Sequence, residues 1–544
     1  MRKKTLSALL CTVAAMAVLT GCGGDKKETA AAPAEGNTTA AVTEAAKTEA
    51  ETTAAVQTEA GGEKNLVMPS ASCVANLNPL LEGYKEAAML NPIYDPLYVI
   101  DVNETRYYLA DSYEVSEDGM QITVKLKEGL KWHDGEAITA DDMIFTMDVC
   151  SDTNNGAGGT NIVILNDQPV KYEKVDDLTV KVTLPMASAS YADLLGGLTL
   201  IPEHVFEGNP SVVSAGEANM KGIGSGPYKV TEFKQDEYLL LEKYEDYYMG
   251  APSIDKVTFR IISDLSAQEV ALMNGEVNFM ELANAPAVAK YEADPNFTVV
   301  KYPEGRVNYL AVNKFCETVQ DPKVVEAVFA ALNRDEIIAG AYGDGMAESA
   351  NYIFSNVNTF YDPSVEGYTQ DVEKAKQLVK ETGLDSKTLT LYFNSERVYM
   401  KESAQIIQQQ LKNVGINLEV IPLESAGFFE KVFGTDGDYE FYLNGYGAVG
   451  DPDQVVAGMY DGTWGVNLAV SDEVSQLWKD ARTVYTPEER AAIYKQIQIQ
   501  TRDELTCYPI AYPNYVFVTT SNIKGADTIK RTPVFEDYTK LTME

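Results

Sequence analysis

The order of secondary-structure patterns between Thr388 and Tyr446 constrains the fold of this chain more than any other feature. The alternating segment LTLYF predicts a strand, and a helical pattern that includes Ile407 and Leu411 follows it. A second strand (INLEV), a short helix (FFEKVF) and a third strand (YEFYL) come next. This β-α-β-α-β order predicts an α/β fold, in which helices cover both faces of an open sheet.

Other helices are predicted from side chains that satisfy the free N–H groups of a first helical turn. Asp321 followed by Pro322 indicates an N-cap and a first helical residue. A further helix is expected from Asp371 to Gly383. Two capping boxes are also predicted, Thr139 with Asp142 and Thr486 with Glu489.

The amino-terminal residues carry the pattern of an export signal. The basic segment RKK precedes an apolar run from Leu6 to Leu19, which is too short to predict a spanning helix. The run ends in LTGC, which resembles the lipobox of bacterial lipoproteins and predicts lipidation of Cys22. Residues 23–64 are rich in Ala, Thr and Glu and predict a disordered tether with a reach of roughly 35 Å. We therefore expect a lipid-anchored protein on the outer side of the cell membrane or in the periplasm.

Charge and residue usage exclude several classes of function. The 81 acidic and 44 basic residues give a net charge of −37, which repels nucleic acid. With only two histidines, His133 and His204, the chain cannot build a histidine-rich zinc site, and neither lies in a catalytic-triad motif. Gly222–Pro227 is followed by a strand pattern and predicts a turn, not a phosphate loop. The sequence therefore predicts no catalytic residues, metal site or cofactor.

The cysteines beyond the amino-terminal segment leave two alternatives open. Cys73, Cys150, Cys316 and Cys507 are widely spaced and form no CxxC pair. An oxidising cell exterior permits two disulfides, and buried free thiols fit the same spacing.

Several segments after the tether resemble family 5 extracellular solute-binding proteins, the oligopeptide- and dipeptide-binding components of ABC importers. They occur in the family's order and cover essentially the whole chain after the tether. The segments are Asn91–Thr146, GIGSGPYKV, NGEVNFMEL, LAVNKF with DPKVVEAVFAALNRDEII, DVEKAKQLVKETG, QQLKNVGINLEV and YTPEERAAIYKQIQ. The resemblance implies a periplasmic-binding-protein-like clamp of two lobes with an additional domain. Such a clamp encloses a solute by hinge closure and breaks no bond.

The resemblance also implies domain boundaries and partners. After the signal peptide (1–22) and the tether (23–64), domain I comprises 65–96, 222–307 and 509–544, domain II comprises 97–221, and domain III comprises 308–508. The implied partners are a small peptide or other small solute and the permease and ATPase subunits of an importer. The protein is expected to be a monomer.

A ligand site between the lobes follows from the same resemblance. In oligopeptide-binding members, a segment of domain I and a strand end of domain III pair with the peptide backbone, and Glu82-Gly83-Tyr84 and Asn444-Gly445-Tyr446-Gly447 occupy those places here. Arg397, just after the strand that ends near Asn394, corresponds to the arginine that binds the ligand carboxylate in dipeptide binders. Trp464 offers a surface for stacking. The alternatives are an ordinary loop for the first segment, a core aromatic for Tyr446 and a solvated arginine at a helix start for Arg397.

One departure from the family pattern bears on the ligand. Peptide binders carry an Asp between the strand-end aromatic and the DP dipeptide, where it pairs with the ligand's α-ammonium, but Ala448 and Val449 stand there in this chain. An unpaired buried ammonium would cost several kcal/mol, so either Asp451 or Asp453 takes the role or the ligand has no free amine. Open alternatives are therefore an oligosaccharide, haem, a metal chelate, an opine or glutathione in the same cleft. A surface receptor or scavenger that is not coupled to transport is a further one.

Overall fold

The computed structural model describes residues 63–82, 86–100, 104–447, 450–460, 468, 470–529 and 537–544. The predicted lipidation site Cys22, nearly all of the tether, and Gly83, Tyr84 and Trp464 lie outside these residues. Within them, every helix is too short or too polar to cross a bilayer. In the same residues, His, Cys, Asp and Glu side chains form no group that could hold a metal ion.

Strands are found along the whole described chain. They are β1 (Asn65–Ser70), β2 (Tyr98–Ile100), β3 (Thr105–Tyr107), β4 (Ala110–Val115), β5 (Gln121–Leu126), β6 (Ile164–Leu165), β7 (Gln168–Pro169), β8 (Lys171–Asp176), β9 (Thr179–Thr183), β10 (Tyr228–Lys234), β11 (Tyr238–Lys243), β12 (Lys256–Ile261), β13 (Phe279–Glu281), β14 (Phe297–Pro303), β15 (Arg306–Val312), β16 (Ala347–Ser349), β17 (Thr388–Asn394), β18 (Asn417–Leu423), β19 (Phe441–Gly447), β20 (Cys507–Thr520), β21 (Ile523–Lys524) and β22 (Thr542–Met543).

Helices are concentrated in the second half of the chain. They are α1 (Ala140–Ser151), α2 (Thr160–Val163), α3 (Tyr191–Gly196), α4 (Gly216–Asn219), α5 (Leu265–Met273), α6 (Ala285–Glu292), α7 (Pro322–Ala331), α8 (Arg334–Ala341), α9 (Val372–Thr382), α10 (Val398–Asn413), α11 (Ser425–Phe433), α12 (Pro452–Val455), α13 (Ala457–Tyr460), α14 (Asp472–Thr483) and α15 (Pro487–Asp503).

Three larger sheets organise these elements. One has the strand order β1-β12-β11-β10, and a second, antiparallel sheet has the order β4-β5-β9-β8. The third has the order β13-β20-β15-β19-β17-β18, with β14 and β16 also paired to β20. In this sheet β15 is hydrogen-bonded on both sides and almost entirely buried, as expected for a central strand.

The predicted β-α-β-α-β segment is confirmed. It forms β17, α10, β18, α11 and β19, and β17 runs parallel to both β18 and β19. Side chains of β17 alternate between two cores, because Leu391 packs in the cluster that contains α10, whereas Tyr392 packs against the cluster that contains Phe428 of α11. Helices therefore cover both faces, as the sequence pattern indicates.

All four predicted helix starts are confirmed, but one of the two predicted capping boxes does not form. Thr139 and Asp142 form a full capping box, and Asp321 and Asp371 accept hydrogen bonds from the backbone of the next turn. At the fourth, Thr486 makes no side-chain cap. Its hydroxyl instead donates to the carboxylate of Glu489. The two side chains satisfy each other, so neither reaches the backbone N–H groups.

The glycine-rich segment forms the predicted turn. Gly224 and Gly226 lie against Ile93 so closely that a Cβ at either position would stand 2.0 or 2.7 Å from its backbone. His133 Nε2 lies 2.9 Å from the Gly226 carbonyl oxygen, and His133 Nδ1 accepts from the Gly224 N–H at 3.1 Å. Burial lowers the pKa of His133 to about 4. The imidazole is therefore a neutral structural group.

The thiols are free in all four cysteines that the structure describes, Cys73, Cys150, Cys316 and Cys507. Three of them are buried. Of the two alternatives left by the sequence, the structure thus has the buried thiols and not the disulfides.

Candidate ligand site

One half of β19 leaves an edge of the largest sheet open. The strand pairs with β15 along its whole length, from Phe441 to Gly447. On its other side it pairs with β17 only at Phe441 and Tyr442. Among the described residues, no strand covers that side from Leu443 to Gly447. We call this segment the open edge; its backbone can pair with an added extended chain.

Gly445 is required by the crowding above the open edge. A Cβ at this position would lie 2.0 Å from Asn308 Oδ1 and 3.0 Å from Arg306 Nε and Nη2. Arg306 Nη2 donates to the Gly445 carbonyl at 2.6 Å, and Arg306 Nε donates to Asn308 Oδ1 at 3.0 Å. At Gly447, by contrast, a Cβ would have nothing within 4 Å. The absence of a side chain at position 445 thus lets a guanidinium lie across the strand.

A series of hydrogen bonds and one ring stack connects Arg306 to Arg397. Asn308 Nδ2 donates to the Tyr342 hydroxyl at 2.8 Å, and the Tyr342 ring stacks on Tyr399 at 5.3 Å. Arg397 Nη1 in turn donates to the Tyr399 hydroxyl at 3.0 Å. The parallel strands β17 and β19 end on the same side of the sheet, so Arg397 and Arg306 belong to the same edge.

These two arginines differ from the other arginines of the described chain. Arg106, Arg260, Arg482, Arg490 and Arg502 each pair with a carboxylate. A further arginine, at position 334, donates to backbone carbonyls and an asparagine and stacks on a tyrosine ring. Within the part of the chain that the structure describes, arginines 306 and 397 have no carboxylate partner, although acidic residues greatly outnumber basic ones in the sequence. An anionic ligand group would supply the missing partner.

Tyr446 and Asn394, two of the predicted ligand-binding residues, instead make contacts within the protein. Tyr446 is buried beside Tyr309 and donates its hydroxyl to the Ile353 carbonyl, which agrees with a core aromatic. Asn394 is buried, donates to Ser425 Oγ at 2.8 Å and accepts from the backbone of the next turn. Asn444 lies on the open edge. The side chains of Tyr446 and Asn394 therefore fix the position of the strand ends.

Glu82 holds a local turn together. Its carboxylate accepts from the backbone N–H of Ala75 at 3.2 Å and of Asn76 at 2.8 Å. Its neighbours Gly83 and Tyr84, which complete the predicted ligand segment, lie outside the described residues. The participation of this segment in ligand binding stays a prediction.

Asp451 and Asp453 each form an ion pair with an arginine. The Asp451 carboxylate binds both terminal nitrogens of Arg490, at 2.5 and 3.0 Å, and both side chains are buried. Asp453 Oδ1 lies 2.5 Å from Arg482 Nε. The arrangement argues against the expectation that one of them replaces the missing amine anchor, because each charge is already neutralised within the protein.

Predicted domains II and III meet where α3 approaches the loop and helix at Gly450–Gln454. Ser190 Oγ donates to Asp453 Oδ2 at 2.9 Å, and Gln454 Nε2 donates to the Ser190 carbonyl at 2.7 Å. Asp193 Oδ2 accepts from the Asp451 backbone N–H at 3.2 Å. We call this contact the junction. No motif in the sequence indicates it, because its two sides are more than 250 positions apart.

Known proteins are similar to this chain over most of its length. Residues 104–467 match the family model described as bacterial extracellular solute-binding proteins, family 5 Middle. This chain is a family 5 solute-binding protein. The family 5 relatives include the dipeptide-binding protein of Escherichia coli, 27% identical over 85% of this chain and 92% of that protein. Oligopeptide-binding protein AppA of Bacillus subtilis is 29% identical over 77% of this chain and 80% of that protein.

Solved family 5 structures share the fold along most of the chain. The substrate-binding protein CtaP of Listeria monocytogenes superposes with a TM-score of 0.82 at 33% identity, covering 88% of this chain and 99% of that one. A peptide-binding protein AppA of Clostridium difficile has the same TM-score and identity and covers 88% and 100%. The chain thus has the two-lobed clamp fold expected from its sequence, and its relatives are substrate-binding proteins of ABC transporters and not enzymes.

Proposed function

We propose that this protein is the substrate-binding lipoprotein of an ABC importer and captures oligopeptides or dipeptides through their backbone. The observation that carries the proposal is the open edge: β15 holds Leu443–Gly447 on one side, and among the described residues no strand pairs with this segment on the other side. An extended peptide that adds to such an edge is recognised through groups that every peptide has, so its side chains can vary.

The two unpaired arginines support a peptide ligand. Arg397 follows the strand β17, and Arg306 lies over the open edge itself. A peptide that runs along the edge would bring its terminal carboxylate or an acidic side chain to one of the two guanidiniums. Charge-assisted hydrogen bonds of this kind are about twice as strong as neutral ones.

The junction supports closure around the ligand. Its hydrogen bonds join predicted domain II to predicted domain III, as the closed state of a clamp requires. Ligand then stabilises the closed state because it contacts both sides at once. The predicted lipid anchor at Cys22 and tether 23–64 would hold this clamp near a membrane permease.

Backbone recognition can be tested by removing single N–H groups from the ligand. We would identify a binding peptide in a thermal-shift screen of two- to eight-residue peptides, sugars, haem and nickel chelates. The same peptide would then be N-methylated at successive positions. Pairing with one strand edge predicts that affinity falls at alternate positions only, because every second N–H faces the edge. Binding of a sugar, haem or a chelate in place of every peptide would refute the proposal.

Coupling to transport needs a separate test in cells. Deletion of the gene should abolish uptake of the identified peptide, and the Cys22→Ala variant should be released into the medium with its binding affinity unchanged. Normal uptake in the deletion strain would instead support a receptor or scavenger.

A further inference from the structure

Asp193 is a mostly buried carboxylate that forms no ion pair with any described residue. It lies on α3, and Asp193 Oδ2 accepts from the Asp451 N–H at 3.2 Å and from Gln454 Nε2 at 3.3 Å. Both donors are neutral. Among the described residues no lysine or arginine forms an ion pair with it, and the nearby Arg490 is engaged by Asp451. Burial and the charge of Asp451 raise the pKa of Asp193 to about 6. A desolvated carboxylate of this kind is stabilised by any cation that reaches it.

Three tyrosines of predicted domain II form a cluster of aromatic rings. The rings of Tyr98 and Tyr113 are stacked, with centroids 4.5 Å apart. Tyr107 tilts against both, at 6.0 and 6.3 Å, and is 36% exposed. The charge of Asp193 contributes to the raised pKa of both Tyr98 and Tyr113, which places these rings within its electrostatic reach. Tyr98 is fully buried, whereas Tyr107 and Tyr113 keep some exposure. Ring faces attract ammonium groups, so these two tyrosines and the carboxylate favour the same kind of ligand.

The Asp193 carboxylate lies next to Gly450, which follows the two positions where the family's amine-binding Asp is missing. A Cβ on Gly450 would lie 2.8 Å from Asp193 Oδ2. Gly450 directly follows Ala448 and Val449, which occupy the position of that Asp in the sequence. A carboxylate therefore lies next to Gly450, and it comes from the other side of the junction.

We propose that Asp193, together with Tyr107 and Tyr113, binds a primary ammonium group of the ligand. The ligand's amine subsite is then supplied by predicted domain II, and the ammonium would link the two sides of the junction when the clamp closes. This inference rests on the proposed peptide-binding function. The ammonium is either the α-amine of a peptide or the side chain of a lysine residue.

The test compares matched ligands with and without an ammonium. The probes are tri-alanine with N-acetyl-tri-alanine, and N-acetyl-Ala-Lys-Ala with its norleucine analogue. Calorimetry would measure each with the wild-type protein and with Asp193→Asn, which keeps the size of the side chain. Glu114→Gln is the control, because it removes the same charge from an exposed residue next to Tyr113 that points to the opposite face of β4.

We expect the wild-type protein to bind one ammonium ligand roughly ten- to hundred-fold more tightly than its matched partner. In Asp193→Asn this preference should disappear while affinity for the acetylated or norleucine partner is kept, and Glu114→Gln should behave like the wild type. The probe pair that shows the preference identifies the source of the ammonium.

Three outcomes would overturn the inference. If the wild type binds peptides without preferring an ammonium, the inference fails and the proposed function stands. If Asp193→Asn weakens both members of a pair equally, the residue is structural. If the protein binds no peptide, the proposed function fails and the inference falls with it.

Discussion

The substitution Asp193→Asn should stabilise the ligand-free protein at neutral pH. Asp193 Oδ2 accepts both hydrogen bonds that this side chain makes in the structure. An asparagine can direct its carbonyl oxygen to the same two donors and keep them. The substitution then removes a charge that burial disfavours, with little loss of contact.

The magnitude follows from the pKa of this carboxyl. Burial and Asp451 raise it from 3.8 to about 6, while Arg490 opposes the rise. A rise of about two pKa units corresponds to roughly 3 kcal/mol at about 1.4 kcal/mol per unit. Because the side chain keeps some exposure, we expect an increase of about 1–2 kcal/mol in the free energy of unfolding at pH 8.

The sign of the pH dependence is fixed by linkage. A carboxyl with a raised pKa in the folded protein favours folding when it is protonated, and this contribution is present below pH 3.8 and lost as the pH rises through about 6. The neutral asparagine does not titrate. The stability gain of Asp193→Asn over the wild type should therefore be largest at pH 8 and shrink towards zero near pH 4.

Urea unfolding of the ligand-free protein at pH 4.5, 6 and 8 would measure the difference between the two proteins. Glu114→Gln is the matched control and should change stability by less than about 0.5 kcal/mol at each pH. A variant that is less stable than the wild type at pH 8, or a gain that does not change with pH, would show that the Asp193 carboxylate is not electrostatically disfavoured.

Three further predictions concern the open edge and the junction. Gly445→Ala should lower the free energy of unfolding by about 1–3 kcal/mol through overpacking, whereas Gly447→Ala should be close to neutral; equal effects in urea unfolding would contradict the geometry. Asp451→Ala should cost about 3–5 kcal/mol because it leaves buried Arg490 uncompensated, and a loss below about 1 kcal/mol by thermal unfolding would disprove the buried pair. Ser190→Ala removes one junction hydrogen bond and should weaken ligand binding about five-fold by calorimetry without changing the selectivity; unchanged affinity would show that the junction does not stabilise the closed state.

Hydrophobic periodicity and helix-capping residues in the sequence predicted the parts of the fold that depend on neighbouring residues. The β-α-β-α-β segment is set by hydrophobic periodicity within about 60 residues, and Asp321 and Asp371 cap helices that begin at the next residue. At Thr486 the predicted helix start is confirmed, but the predicted capping box does not form, because the Thr486 hydroxyl donates to the Glu489 carboxylate. A pattern of residue types cannot distinguish these two hydrogen-bond arrangements.

The candidate site was predictable only in part, because its contacts join distant segments. Resemblance to the family placed Gly445 and Arg397 near a ligand, but Arg306 reaches Gly445 across 139 positions of sequence. Asp193 meets Asp451 across 258 positions. Neither contact has a periodic or spaced signature; both arise from strand register and from the packing of α3.

The long strand β20 runs without interruption between two groups of partner strands. Its first half, from Cys507 to Pro513, pairs with β15 and β16, and its second half, from Asn514 to Thr520, pairs with β13 and β14. Relative rotation of these two halves must be absorbed by added twist along one continuous backbone, since no slack loop separates them. Pro509 and Pro513 lack N–H donors, so this strand makes fewer hydrogen bonds to its neighbours in its first half. A joint of this kind permits rotation about few axes, so each cycle of opening would return the two walls of the cleft to the same alignment.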